Sequence, residues 1–405
     1  MKGGDELRKH LGIWLIWITL VAVAAADVAV NGWHAIFSTE DALDASLGTS
    51  AANAARISHI AMGREYTTSV AAADVERLVI DNPAGSVVVH GMANNDNIEL
   101  QAWLIVYTND ENESKEVLEQ TQFTVVMDHG VLRPELDPDP GTLLSADSPW
   151  DVLWEISVPS HIHVDIVNRY GPVRVQGLSG ALHVTNERDL VDISEVEGTV
   201  HVVLYDGQLE VQQVDGAIVV EASNSELHLS SVTGSIELEA SDSDITGSMF
   251  HGHSHLNVTS GHIHLSEFSG DIALRLVDTS MFARTTQPFE TLSADIIGQN
   301  AVFEFPDNEA VGEMDVRVES SHVAFLIPPP VDHTFNIHVR RGARLVSEWD
   351  FELAAEDGGK LYRAVFGEGS HLFTIEAVNG ARVNLGLPQS NREIRMFIEQ
   401  NILSP

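Results

Sequence analysis

The sequence predicts an all-β protein, a parallel β-solenoid of 18-residue rungs, and three observations carry that prediction. Glycine returns at a fixed interval, at Gly180, Gly198, Gly216, Gly234, Gly252 and Gly270. Apolar residues alternate just after each glycine (Leu182 and Val184, Val200 and Val202, Ile218 and Val220, Ile236 and Leu238) and again further along the unit (Val191 and Ile193, Leu209 and Val211, Leu227 and Leu229, Ile263 and Leu265). A turn residue recurs midway, as Gly171, Asp189, Gly207, Ser225, Ser243 and Gly261. Period-two alternation gives each strand one buried face. A single unit is too small to bury that face by itself, so units must stack. Stacking at about 4.8 Å turns equivalent residues into columns. The predicted buried column is Val184, Val202, Val220, Leu238, Leu256 and Leu274, with Leu178, Val196, Val214, Val232, Phe250 and Phe268 also inward. Gly247 stands where an inward Leu or Val is expected and predicts a locally thin core.

Taken from the start, the chain opens with a targeting segment. Lys2, Arg8 and Lys9 precede the apolar run Leu11 to Ala26, which ends in Ala24, Ala25 and Ala26 before Asp27. A basic head, an apolar stretch shorter than the ~20 residues of a full span and a small-residue site read as a signal peptide over 1–26. Its rival is an uncleaved membrane anchor, because apolar residues resume at Val28 and Trp33. Both direct export, to the periplasm or cell envelope. Residues 27–74 are rich in Ala, Ser and Asp and are expected to form a low-structure lead-in.

Residues 75–160 are expected to be strand-rich with a short helical insertion. Two β-rich runs flank the turn cluster Asn82 to Gly85, and NDENESKEVLEQ favours a helix that Asn109 or Asp110 is placed to cap. Regular rungs are expected over 161–285 and irregular ones over 286–388, where the period blurs and prolines at 328, 329 and 330 interrupt. In the tail 389–405, Ile394, Phe397, Ile398 and Ile402 fall at helical spacing and predict a short helix that covers the last rung.

A strand ending in Val158-Pro159, the run HVDIVNRYGPVRVQGLSGALHV, and glycine-punctuated units after it resemble the putative-adhesin, strand-repeat (DUF4097-like) family of exported envelope proteins. The opening LVIDNPAGSVVVHG and the late GEGSHLFTIEAVNGARVNL look like that family's first and last strands, so the likeness covers roughly residues 75–388. The resemblance implies a parallel β-solenoid, export, and an adhesion or scaffold role, and it brings no catalytic residues.

Composition narrows the partners. With 22 basic and 60 acidic residues the net charge is −38, which repels nucleic acid and anionic lipid headgroups. The absence of cysteine removes disulfides and thiolate metal sites. Histidine is the one chemically suggestive cluster: His251, His253 and His255, then His262 and His264. Alternate histidines on a strand share a face, and neutral imidazoles suit zinc, copper or nickel. His251, His253 and His255 are therefore the candidate metal ligands, against the plainer reading of surface histidines. Asp206, Asn224, Asp242 and Asp278 read as turn residues in preference to a calcium ladder. None of the hydrolase, metalloprotease or phosphate-loop motifs occurs, so a non-enzymatic role without a cofactor is expected. The expected function is an envelope adhesin or scaffold that contacts protein or glycan. The alternative is a metal- or glycan-binding module, with the outward disposition of Trp150 and Trp154 as its discriminating feature; a polysaccharide-cleaving enzyme is a more distant third.

Overall fold

The structure, a computed structural model, describes residues 60–386 apart from 109, 144–148, 308–310, 329–331 and 357. The expectations for 1–26 and 389–405 lie outside the described residues. Within the expected lead-in, residues 60–74 are described, and here the expectation is corrected: Ile60–Ala71 is a 12-residue strand. Met62 and Tyr66, an even number of residues apart, put their side chains on its buried face.

The fold is all-β, with strands in nearly every described segment and one helix of more than a single turn. The chain divides into two compact units, one made of residues up to 68, 101–125 and 135–153, the other of 69–100, 126–134 and 154 onward. The expected 75–160 part is thus shared between the two. In the first unit the helix Glu111–Gln120 starts at Asp110, whose carboxylate accepts from the Asn112 N–H at 2.9 Å, as the cap reading requires. Val117 and Leu118 are buried. The helix is held by Arg64, whose guanidinium donates to the Leu118 carbonyl at 2.7 Å, and the turn after it by the Tyr66 hydroxyl, which donates to the Thr121 carbonyl at 3.0 Å.

In the second unit parallel pairing begins with Arg77–Asn82, which pairs with His163–Asn168, so these strands join the same sheet as the regular repeats. Val87–Met92 lies between two strands much later in sequence, Trp150–Pro159 and Val173–Gln176. From there the offset is 18 residues. Ile166, Val184, Val202, Val220 and Leu238 stand opposite one another strand by strand, and Val196, Val214 and Val232 do the same on another side. The whole predicted column, including Leu256 and Leu274, is buried.

The glycine column has a steric cause. At Gly234 φ is +129°, and a Cβ would sit 2.1 Å from the Gly216 carbonyl oxygen; Gly216, Gly252 and Gly270 meet the preceding glycine's oxygen in the same way. Two further corners turn on left-handed residues at the same interval. One is Glu195, Gln213, Ser231, Met249 and Glu267; the other is Asp206, Asn224, Asp242, Ser260 and Asp278. Asn and Asp tolerate that conformation best, which accounts for the second series. Between the corners the serines form a ladder: Gly207 and Ser225 donate their N–H groups to the hydroxyls of Ser225 and Ser243, at 3.4 and 3.1 Å. The thin core expected at Gly247 is also corrected, because the Phe250 ring and Leu265 occupy the space where its Cβ would point.

After residue 285 the register departs from 18. Asp271 stands opposite Thr291, and Thr291 opposite Glu313, offsets of 20 and 22. The interior there carries Phe289, Phe303, Phe305 and Phe325, with Phe303 opposite Ala283 on the preceding strand and stacked on Phe325 at 5.2 Å. The sheet then becomes mixed. His371–Val378 pairs in parallel with both Glu313–Glu319 and His333–Arg340, so the last segment lies between two strands that precede it in sequence. Arg382–Gly386 lies likewise between His322–Leu326 and Arg344–Ser347. Gly359–Val365 pairs antiparallel with His333–Arg340 and with Glu352–Glu356. The expectation that irregular rungs simply continue over 286–388 is corrected on this point: an antiparallel hairpin and two out-of-order strands complete the sheet.

Candidate functional site

The candidate site is the outward surface of the repeats, where the histidines lie. Alternation along each strand puts every second side chain outside, and the 18-residue register lines those side chains up. His183 and His201 are opposite one another and stack, with ring centroids 4.6 Å apart and planes 7° from parallel. The Nε2 atom of His201 lies 3.6 Å from the Glu221 carboxylate.

Two members of the predicted metal trio go to separate neighbours. His251 Nδ1 is 2.9 Å from the Ser269 hydroxyl, and His253 Nδ1 is 2.9 Å from the Asp271 carboxylate; His255 is exposed. The left-handed corner at Gly252 separates the first two. His262 pairs with Asp244 at 2.9 Å, and His228 with Glu226 at 3.0 Å. His264 rests on the Phe282 ring at 5.2 Å, and burial holds its pKa below the usual imidazole value. Among the described residues no group of three or more His, Asp or Glu is placed to hold a metal ion. The structure thus gives His251, His253 and His262 separate hydroxyl or carboxylate partners one repeat away, and His228 a carboxylate two residues away on its own strand.

Trp154 is 3% exposed, so it is a core residue and offers no outward ring; Trp150 is half-buried. Among the described residues the exposed Tyr, Phe or Trp rings are ones that sequence reasoning passed over, Tyr170 and Tyr205, with the Arg188 guanidinium 5.5 Å from the Tyr170 ring centre. Both tyrosines sit next to corners, where a large ring has no inward position to fill. A buried polar ladder was missed as well. The Asn82 amide donates to the Asn168 side-chain oxygen at 2.9 Å, the Asn168 amide to the Gly171 carbonyl at 2.5 Å, and Asn186 accepts from the Arg188 N–H at 3.0 Å. Its signal was present in the text, as Asn82-x-x-Gly85, Asn168-x-x-Gly171 and Asn186-x-x-Asp189. Asp206, Asn224, Asp242 and Asp278 are corner residues, and the Asn224 amide donates to the Asp206 carboxylate at 2.5 Å.

Among the described residues no helix is long and apolar enough to cross a membrane. No family model and no curated protein matches the chain, so the likeness read from the strand motifs has no matching family model behind it. Solved structures similar to it include two adhesion-type proteins. One is a putative cell adhesion protein from Clostridium sporogenes, 10% identical, with 80% of this chain and 99% of that chain covered and a TM-score of 0.17. The other is a putative adhesin from Bacteroides fragilis, 6% identical, with 80% and 97% covered and a TM-score of 0.24. At scores this low, function has to be argued from the residues.

Proposed function

We propose that this protein is an exported, adhesin-like or scaffold component of the cell envelope, and that its outward columns are a contact surface for protein or glycan. In this reading the 18-residue pairing builds a parallel β-solenoid. Residues 1–26 direct export, by a cleaved signal or a retained anchor. The observation that supports it is the register itself: from Ile166 to Leu238, residues one repeat apart stand directly opposite one another. A surface of that kind repeats the same chemistry at the strand spacing, which suits it to extended partners. Tyr170 and Tyr205 are the exposed rings it offers, and rings of this type supply large contact area at small entropic cost.

The test uses the full chain on intact envelopes and on an immobilised glycan panel, with Tyr170→Ala/Tyr205→Ala as the variant. Saturable retention that drops at least fivefold in the variant supports the reading. Retention equal in both proteins, or none on either surface, overturns it.

A further inference from the structure

Several of the described arginines lie against carboxylates. Arg77 is 3.4 Å from Asp165, Arg174 is 2.9 Å from Asp192, Arg317 is 3.3 Å from Glu319 and Arg340 is 3.3 Å from Glu376. Arg344 and Arg382 are among those that do not, and their placement sets them apart. They stand directly opposite one another on neighbouring parallel strands, and His322 stands opposite Arg382 on its other side. Asn300 continues the row opposite His322. All four face outward, because the next residue along in three of the strands (Ala301, Val323 and Val383) is buried. Among the described residues no ion pair joins Arg344 or Arg382 to a carboxylate; the Arg382 guanidinium donates to the Asn384 side-chain oxygen, at 3.2 Å. The nearby corner carboxylate, Glu319, is already engaged by Arg317 and by the Asn379 amide at 2.6 Å. Arg341 is exposed at the corner three residues before Arg344.

Like charges directly opposite one another destabilise a sheet. In a chain of net charge −38, with 60 carboxylates to draw on, two unpaired guanidinium groups held side by side are a cost that a negatively charged ligand would remove. Guanidinium forks match the geometry of carboxylate, phosphate and sulfate, and neighbouring strands put the two arginine backbones about 4.8 Å apart, within reach of one ligand. We infer that the row Asn300, His322, Arg382 and Arg344 is an oxyanion-binding site, with the two guanidinium groups as its charged centre and the imidazole and amide as flanking donors. The ligand is an oxyanion, either free or carried on an acidic polysaccharide.

Calorimetric titration of the full chain separates the sources, with inorganic phosphate in one arm and a polyuronate in the other. Wild type is expected to bind at least one probe, with affinity falling as sodium chloride is raised. R344Q/R382Q should lose at least tenfold in affinity, and R77Q/R174Q, which removes ion-paired arginines, should stay within twofold of wild type. Without ligand, R344Q/R382Q should melt no lower than wild type, since it relieves a repulsion; adding the bound probe should raise the melting temperature of wild type alone. Binding of phosphate assigns the free ion, and binding of polyuronate alone assigns the polymer. Absence of binding in both arms, or equal affinity in wild type and R344Q/R382Q, overturns the inference.

Discussion

Residues 181–270 and residues 286–386 belong to the same sheet and are assembled on different rules. In the first stretch the sequence repeats, with residues one repeat apart in register wherever pairing is resolved, and 15 acidic residues stand against one basic residue, Arg188. In the second the offset grows to 20 and 22, the interior fills with phenylalanine, and the last strands lie between earlier ones. Over 333–386 six basic residues stand against seven acidic ones. The comparison teaches that a repeat is specified locally, each unit by its neighbour, whereas the closing region depends on residues far apart in sequence being present together.

The sharpest way to break the comparison is to remove the inserted strand. A chain ended after Ser370 lacks His371–Val378 and Arg382–Gly386, the strands that link 333–347 to the rest. Hydrogen exchange should show amides of 333–365 losing protection while those of 181–270 keep theirs, with a chain ended after Gly386 as reference. Unchanged protection in 333–365 would count against the pairing order.

Within the repeats, Val220→Asp places a charge in a fully buried column. With no partner there, the cost should exceed about 3 kcal/mol, read as a fall in the denaturation midpoint. Glycines separate the two regions next. At Gly234 an added Cβ meets a carbonyl oxygen at 2.1 Å with φ at +129°, so Gly234→Ala should lose about 2 to 4 kcal/mol, from strain and the forced shift together. Gly342, at φ +82° with open space around it, should lose about 1 kcal/mol on the same change. Equal losses at the two sites would remove steric stacking as the reason for the glycine column.

The 18-residue period, the buried column and the Asp110 cap were legible because each rests on nearby residues repeating a simple constraint. The Asn82–Asn168 contact spans 86 positions and crosses a segment of the other unit, so local pattern could not announce it. The C-terminal order was hidden for a similar reason: nothing in HLFTIEAV says that its neighbours are 313–319 and 333–340. At the histidines, spacing disclosed that they are outward and could not disclose their partners, because Ser269 and Asp271 come from the next repeat.

Acid should act on the closing region through His333. It is buried, bonds the Gly312 carbonyl through Nε2 at 3.3 Å, and faces His371, with ring centres 5.3 Å apart, and Asp332. Burial lowers its pKa from the ordinary 6.5, with His371 adding to the effect and the Gly312 carbonyl and Asp332 opposing it. Below about pH 6.5 the unfolded chain therefore binds a proton that the folded chain resists, and this contribution to stability, complete above that pH, declines as pH falls toward the lowered folded value. Melting temperature should drop over that window and drop less in His333→Gln. The smallest effect is expected at the predicted metal trio. Zinc titration of the protein and of the variant with His251, His253 and His255 all changed to Ala should give matching isotherms at micromolar metal; a site lost in the variant would restore the trio as ligands.

The central claim is that residues 18 apart are one strand spacing apart through the repeats. The chain has no cysteine, so paired labels can be placed at will. Spin labels at Thr185 combined in turn with Glu239, Asn257 and Arg275 span three, four and five repeats. At about 4.8 Å per repeat the backbone separations should be about 14, 19 and 24 Å, a steady increment that label linkers broaden without reversing. Separations that grow by that increment support stacking in register, and separations that jump, plateau or fall between successive pairs contradict it.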